Sequence, residues 1–329
     1  DEILFGQTAA FKGPAAALGN GMNAGLRAAF KRANASGGVD GRQLALETAN
    51  DGYEPDKAIA NTKRLINDTN VFALIGAVGT PTSKAIQPIA AKQGVPYVGP
   101  FTGAAFLRKP RNTNVVNIRG AYCDEAETWI DFLVDDKGLD QIAILYQDDS
   151  YGRAGLRCAK DALGRRDMKL AASGTYPRNT TAVKSAALDI SAASPDAVVT
   201  VGAYKPVAAF IRVMNRLGVE VPILNLSFTG SAALAQELGP ANSEGVYVTQ
   251  VVPSPTNSDL PIVEQYRNDL DKLDADISPG FVSLEGYLVG RVTQHALAPL
   301  EGAPTRKSFL EQVRALGSFE LAGLAFSYG

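Results

Sequence analysis

The stretch GAVGTPTSKAIQPIA, residues 76–90, gathers the residues of the first half of the chain best suited to holding a ligand. It follows the apolar run VFALI and places Gly76, Gly79, Thr80, Thr82 and Ser83 where a strand would feed a helix. A helix N-terminus offers unpaired backbone N–H groups and a partial positive charge, so such a mouth suits an anion. The lysine is misplaced for a phosphate loop. Lys84 follows the Thr/Ser cluster, and no G-x-x-x-x-G-K-[ST] occurs in the sequence. Without that lysine or clustered arginines, a carboxylate suits the mouth better than a phosphate.

Other expected strand ends carry matching chemistry. GPFTGA brings Phe101, Thr102 and Gly103 after a strand at 95–98; QDDSYG brings Tyr151 after a strand at 141–147. GAYKP contributes Tyr204, and NLSFTGS contributes Ser227 and Phe228. Ligands of open α/β sheets bind outside the carboxyl ends of the strands, so these loops belong to one candidate site. Hydroxyls would orient a carboxylate, and aromatic rings would form an apolar wall. Each residue also has a plain structural role open to it. Thr80 could only cap its helix, and Tyr151 could only pack its turn. Their coincidence at matching strand ends of two facing halves favours the binding role for the group.

The residues that bond chemistry requires are sparse. A general base or nucleophile needs partners, and the single histidine, His295, sits mid-helix in RVTQHALAP, where a surface or interhelix role is expected. No G-x-S-x-G elbow occurs, and GNGMNAG (19–25) has the wrong spacing for a dinucleotide loop and lies inside a helix. The acid pairs Asp135–Asp136 and Asp148–Asp149 sit at element ends, where solvated turn residues are expected. Cys123 and Cys158 cannot complete a four-ligand zinc site with one histidine. They are either a disulfide or two unpaired thiols. No cofactor or metal is expected. A net charge of −2, with acids and bases interspersed, gives no basic stripe for nucleic acid, and no apolar run is long enough to span a bilayer.

The elements that must position these residues follow from periodicity. At 329 residues, two domains are expected. Strands at 3–7, 44–48, 71–75, 95–98 and 115–118 alternate with helices at 15–35, 55–68 and 82–93. The rhythm then restarts: helix 123–137, strand 141–147, helix 153–165, strand 169–175, helix 181–192, strand 196–202, helix 205–217, strand 222–225, helix 231–238 and strand 245–250. Such alternation implies parallel sheets covered on both faces. After a Pro-rich crossover, three helices are expected near 261–274, 279–298 and 305–316, as an addition to the first half. GLAFSYG reads as the start of a strand. The N-terminus enters strand-like sequence at once, which fits either a mature chain that has lost a signal peptide or a chain trimmed at its start.

The sequence resembles the type I periplasmic solute-binding proteins of ABC transporters, in the branched-chain amino-acid binding group. The carrying stretches are GPAAALGNGMNAGLRAAFKRANASGGVDGRQLAL, NDGYEPDKAIANTKRLI, VFALIGAVGTPTSKAIQPIA, VPYVGPFTGA, QIAILYQDDSYGRAG and PDAVVTVGAYKPVAAFIRVMNRLG, in this order over essentially the whole chain. The resemblance implies an α/β fold of two Rossmann-like lobes joined by a three-crossing hinge, with crossings near 118–122, 248–252 and 325–329. Lobe 1 would comprise 1–119 plus 252–326, and lobe 2 would comprise 122–249 plus the C-terminal end, with the ligand cleft between them.

The function it implies is capture of a small carboxylate by lobe closure and delivery to an ABC permease, by a periplasmic monomer with no enzymatic activity. A ligand sensor feeding a signalling partner is the alternative. By position, the carboxylate end matches Thr80 and the turn Phe101–Gly103. Leu18 stands at the first-lobe wall position, Tyr151 and Tyr204 at the two second-lobe tyrosines, and Phe281 and Ser283 at the late wall. The acid expected for a ligand ammonium falls near Ser227, where there is none. Either Glu285 replaces it or the ligand carries no ammonium.

Overall fold

The computed structural model describes residues 2–256, 259–273 and 277–328. The first five strands are β1 (Glu2–Ala9), β2 (Gln43–Asn50), β3 (Ala73–Ile75), β4 (Tyr97–Val98) and β5 (Val115–Val116). They form a parallel sheet in the order β2-β1-β3-β4-β5, connected by helices α1 (Ala16–Ala35), α2 (Pro55–Asn67) and α3 (Thr80–Lys92). The second sheet uses β6 (Ile142–Gln147), β7 (Ala172–Tyr176), β8 (Ala197–Val201), β9 (Ile223–Asn225) and β10 (Val246–Val248), in the order β10-β9-β8-β6-β7. Its helices are α4 (Tyr122–Ile130), α5 (Ser150–Gly164), α6 (Lys184–Ala192), α7 (Tyr204–Arg216) and α8 (Ser231–Leu238).

Counted along the chain, the two orders are one topology used twice. This is the two-lobed Rossmann-like α/β fold that the alternation implies. β8 is buried along its whole length, as expected of a strand with helices on both faces. Each sheet reverses its strand order beside its own first strand, between β1 and β3 and between β6 and β8. That reversal opens a crevice at the carboxyl ends.

After β10 the chain adds α9 (Pro261–Leu270), α10 (Phe281–Leu297) and α11 (Arg306–Ala315). α10 lies against α1 with almost no space between backbones. A Cβ on Gly25 would stand 1.9 Å from the Ser283 carbonyl oxygen, so only glycine permits this approach.

The helix expected at 82–93 begins two residues earlier. Gly79, at φ 103°, breaks the chain, and Pro81 suits a first turn. The helix expected at 123–137 is α-helical only to Ile130 and continues in wider π-type turns over Asp131–Asp136. The helix expected at 261–274 ends at Leu270, and Asp274 lies outside the described residues.

The closing segment departs in kind. GLAFSYG supplies β12 (Leu324–Ser327), but as the second strand of an antiparallel hairpin with β11 (Ser318–Leu321). Four residues show too little alternation to announce a strand, and pairing and burial make this one. Phe319, Leu321 and Phe326 pack with Ile262, Tyr266 and Leu288 of α9 and α10, and the Tyr328 hydroxyl donates to the Asn117 carbonyl at 2.9 Å. His295 stacks on Phe319 with centroids 4.5 Å apart, so it is an interhelix-to-hairpin contact.

Cys123 of α4 and Cys158 of α5 form a disulfide, which settles the open alternative. Among the described residues, no helix is long and apolar enough to cross a membrane.

Candidate functional site

The loops at the carboxyl ends of both sheets meet in one aromatic cluster. Phe228, after β9, touches Tyr151 at 4.6 Å, Phe101 at 5.4 Å and Tyr53 at 5.9 Å between ring centroids. Tyr122 packs on Tyr151 at 5.5 Å. All five rings are buried. They come from both lobes, so the cluster closes the crevice that the two topologies open.

Hydroxyls gather at its edge. Thr80, first residue of α3, shares a hydrogen bond of 2.7 Å with Thr102, and its oxygen lies 3.5 Å from the Tyr122 hydroxyl. No side chain caps α3. The Tyr151 hydroxyl is buried with no hydrogen-bond partner among the described residues. Burial pushes the Tyr122 and Tyr151 phenols above their ordinary value, so both remain neutral donors. Gly103 holds this edge together, since its carbonyl accepts from the Tyr122 N–H at 2.9 Å.

A second polar group lies against Phe101. The Arg119 guanidinium sits over that ring, 4.4 Å from the centroid. Its Nε lies 3.0 Å from one Glu285 oxygen, and its Nη2 donates to the other at 3.2 Å and to Ser227 Oγ at 2.7 Å. Ser227 in turn donates its N–H and its hydroxyl to Glu125, at 2.8 and 2.9 Å. Burial opposes the Arg119 charge, but the Glu285 and Glu125 carboxylates outweigh it and keep the guanidinium protonated. Burial likewise lifts Glu285, against the pull of Arg119.

The residues expected to form the site therefore fall into groups. Thr80, Phe101, Thr102, Gly103, Tyr151 and Phe228 are brought together, and Ser227 and Glu285 join them through Arg119. Thr82 turns away: its hydroxyl donates back to the Val78 and Gly79 carbonyls at 2.5 and 3.0 Å. Tyr204 reaches across the cleft, its hydroxyl accepting from the Ala17 N–H at 3.3 Å. Leu18 and Phe281 line a slot of about 330 Å3 beside Gly230. Ser283 is tied to the Tyr266 hydroxyl at 2.6 Å. Of the acid pairs, Asp149 caps α5 through the Tyr151 and Gly152 N–H groups, and Asp135 pairs with Arg166.

The sequence reading missed Tyr53, Arg119, Tyr122 and Glu125. Arg119 directly follows the strand expected at 115–118, so the strand-end rule that nominated the other loops applied to it as well.

Polar bonds also clasp the lobes. Arg178, steadied by Asp149 of its own lobe at 3.2 Å, donates across to Glu54 at 2.8 Å, and Asn179 donates to the Gly52 carbonyl at 3.0 Å and to Glu54 at 2.6 Å. Gln147 donates to the Tyr53 hydroxyl at 3.2 Å. Beside Thr80 a cavity of about 270 Å3 opens, with Lys84, Lys109, Arg153 and Arg157 on its walls. Such a mouth draws anions. Among the described residues, no group of three His, Cys, Asp or Glu side chains is placed to hold a metal.

Asp51, beside Tyr53, gives the cleft a pH dependence. Its carboxylate accepts from Thr8 at 2.9 Å and the Tyr53 N–H at 2.8 Å, yet burial pushes it up to about 6. Between pH 4 and 6 the folded state keeps a proton that the unfolded chain has released. Asp51 therefore lowers stability as pH rises through that window, by up to about 3 kcal/mol. Urea denaturation at pH 4.5 and 6.5 should show a steeper fall in the wild type than in Asp51→Asn. Equal pH slopes would sink the assignment.

A family model described as periplasmic binding protein matches residues 2–328. The Leu/Ile/Val-binding protein homolog 7 of Brucella abortus (strain 2308) is 25% identical, with the alignment covering 100% of this chain and 84% of that protein. The crystal structure of a possible leucine/isoleucine/valine-binding protein from Rhodopirellula baltica SH 1 superposes with a TM-score of 0.94 at 36% identity, covering 99% of this chain and 89% of that one. A substrate-binding periplasmic protein from Ralstonia solanacearum gives 0.92 at 26% identity, covering 98% and 91%.

Proposed function

Because this chain belongs to the periplasmic binding protein family, whose members bind solutes, we propose that it captures a small carboxylate between its lobes and delivers it to an ABC permease. The observation that carries the reading is the hydroxyl cluster at the mouth of α3, where Thr80, Thr102 and Tyr122 converge and the Tyr151 hydroxyl has no partner among the described residues. Neutral donors beside a helix N-terminus suit one carboxylate, and the four cations at the mouth favour its approach. The work is binding and closure, without bond chemistry.

The rings of the cluster touch one another across the lobes, so a ligand enters only when the lobes part. Opening is a hinge motion that breaks the Arg178 and Asn179 clasp, and closure over the ligand restores it. An extracytoplasmic monomer completes the proposal. The Cys123–Cys158 disulfide supports that location, since such bonds persist in oxidising compartments.

A thermal-shift screen of small carboxylic acids, each beside its neutral amide, tests the reading. A bound ligand raises the melting temperature by mass action. An acid should stabilise the protein while its amide does not; if no acid does, or if acid and amide act alike, the carboxylate reading fails. With the acid so found, Thr80→Ala and Tyr151→Phe should each weaken binding about 10- to 100-fold, the range of a hydrogen bond to a charged group. Calorimetry that finds unchanged affinity in both variants would place the carboxylate elsewhere.

A further inference from the structure

All five acids buried among the described residues already have partners. Glu285 is bound by Arg119. Glu125 accepts from the Ser227 N–H and hydroxyl and from Thr249 at 2.5 Å. Asp149 accepts from the Tyr151 and Gly152 N–H groups, Gln147 and Arg178. Asp51 is held by Thr8 and Tyr53, and Asp269, remote from the cluster, by Arg32, Lys272 and Tyr287.

Among the described residues around the rings, the Tyr151 hydroxyl, Nε and Nη1 of Arg119 and Nε of Arg178 are buried without a hydrogen-bond partner; Arg119 Nε already faces Glu285 at 3.0 Å, and Arg178 is held by Glu54 and Asp149. Arg119 cannot act as an acceptor. A ligand ammonium placed at Nη1 would meet a like charge at contact distance, whereas an oxygen acceptor there would satisfy the donor.

We propose that Arg119 is a ligand-binding residue at the second polar end of the site, and that the ligand is a carboxylic acid bearing a further oxygen acceptor and no ammonium. The simplest such compounds are 2-oxo acids. The inference rests on the carboxylate reading above and narrows it. One end of the ligand is held by the Thr80–Thr102–Tyr151 donors. Its second oxygen accepts from Nη1, while Glu285 and Ser227 fix the guanidinium plane.

Calorimetry on the wild-type protein with matched sets tests this: the protein amino acids, and the 2-oxo and 2-hydroxy acids of the same side chains. The tightest binder should be an oxo or hydroxy acid, at least about 100-fold tighter than its amino counterpart, because a buried site rejects a ligand that leaves its polar groups mismatched. An amino acid as the tightest binder overturns this inference and leaves the carboxylate reading standing. Binding by no member of any set overturns both.

Arg119→Lys keeps the charge and the Glu285 contact but loses the fork geometry, and its fold is checked by melting temperature. It should weaken the best oxo or hydroxy acid about 10-fold or more. A folded Arg119→Lys with wild-type affinity would remove Arg119 from the ligand contacts.

Discussion

Replacing Arg119 with methionine is expected to destabilise the protein by about 3–5 kcal/mol at pH 8, the usual cost of leaving a buried ionic partner alone. Both side chains of the Arg119–Glu285 pair are almost fully enclosed, at 1% and 3% exposure, so solvent cannot replace the lost cation. The loss should shrink at pH 5. Burial already lifts the Glu285 carboxyl, and without the guanidinium it rises further. The folded variant then takes up a proton that the unfolded chain lacks, and its stability falls as pH climbs above the unfolded value near 4.3. The double variant Arg119→Met/Glu285→Gln should recover much of the loss, since no charge is then left unpaired. Glu125 tolerates either change better, because it keeps its Ser227 and Thr249 donors. Urea denaturation of the three variants at pH 5 and 8 checks the series. A loss below about 1 kcal/mol for Arg119→Met at pH 8 would mean that the pair contributes no more than a surface contact.

Reducing the Cys123–Cys158 bond should cost roughly 3–4 kcal/mol, because the link closes a loop of about 35 residues and narrows the unfolded ensemble. The bond ties α4 to α5, the two helices that start at Tyr122 and beside Tyr151, so it also steadies two rings of the cleft. Cys158 is buried, and Cys→Ala removes a single sulfur atom there, a small loss of packing beside the loss of the cross-link. The double variant Cys123→Ala/Cys158→Ala and the wild type in reductant should therefore show the same lowered denaturation midpoint. Agreement between them assigns the loss to the cross-link. If the variant falls and the reduced protein does not, the cause is side-chain packing.

Much of the candidate site was legible because it obeys local rules. A helix after the strand at 71–75 is expected, though from residue 82 rather than Thr80, and Thr80 and Thr102 stand at strand ends by their spacing alone. Tyr151 and Phe228 were nominated in the same way, and the structure puts their rings 4.6 Å apart. Thr82 shows the limit of spacing. Two residues into the helix its hydroxyl finds its own backbone carbonyls, a competition that residue type leaves undecided. Leu18 and Phe281 line a slot beside Gly230, and only the packing of α1 against α10 decides where such side chains point.

The sequence by itself determined the alternation of strands and helices, the doubled topology and the helix mouth at Thr80, because each depends on period, capping and turn residues within a few positions. Tertiary structure alone decided the partners of Arg119. Its contacts with Ser227 and Glu285 span 108 and 166 residues of sequence, and no local pattern encodes which charge meets which. The same holds for the C-terminal hairpin, whose four-residue strands exist only because each pairs with the other and both bury against α9 and α10. Where a side chain's energy comes from neighbours distant in sequence, only the folded chain reveals its role.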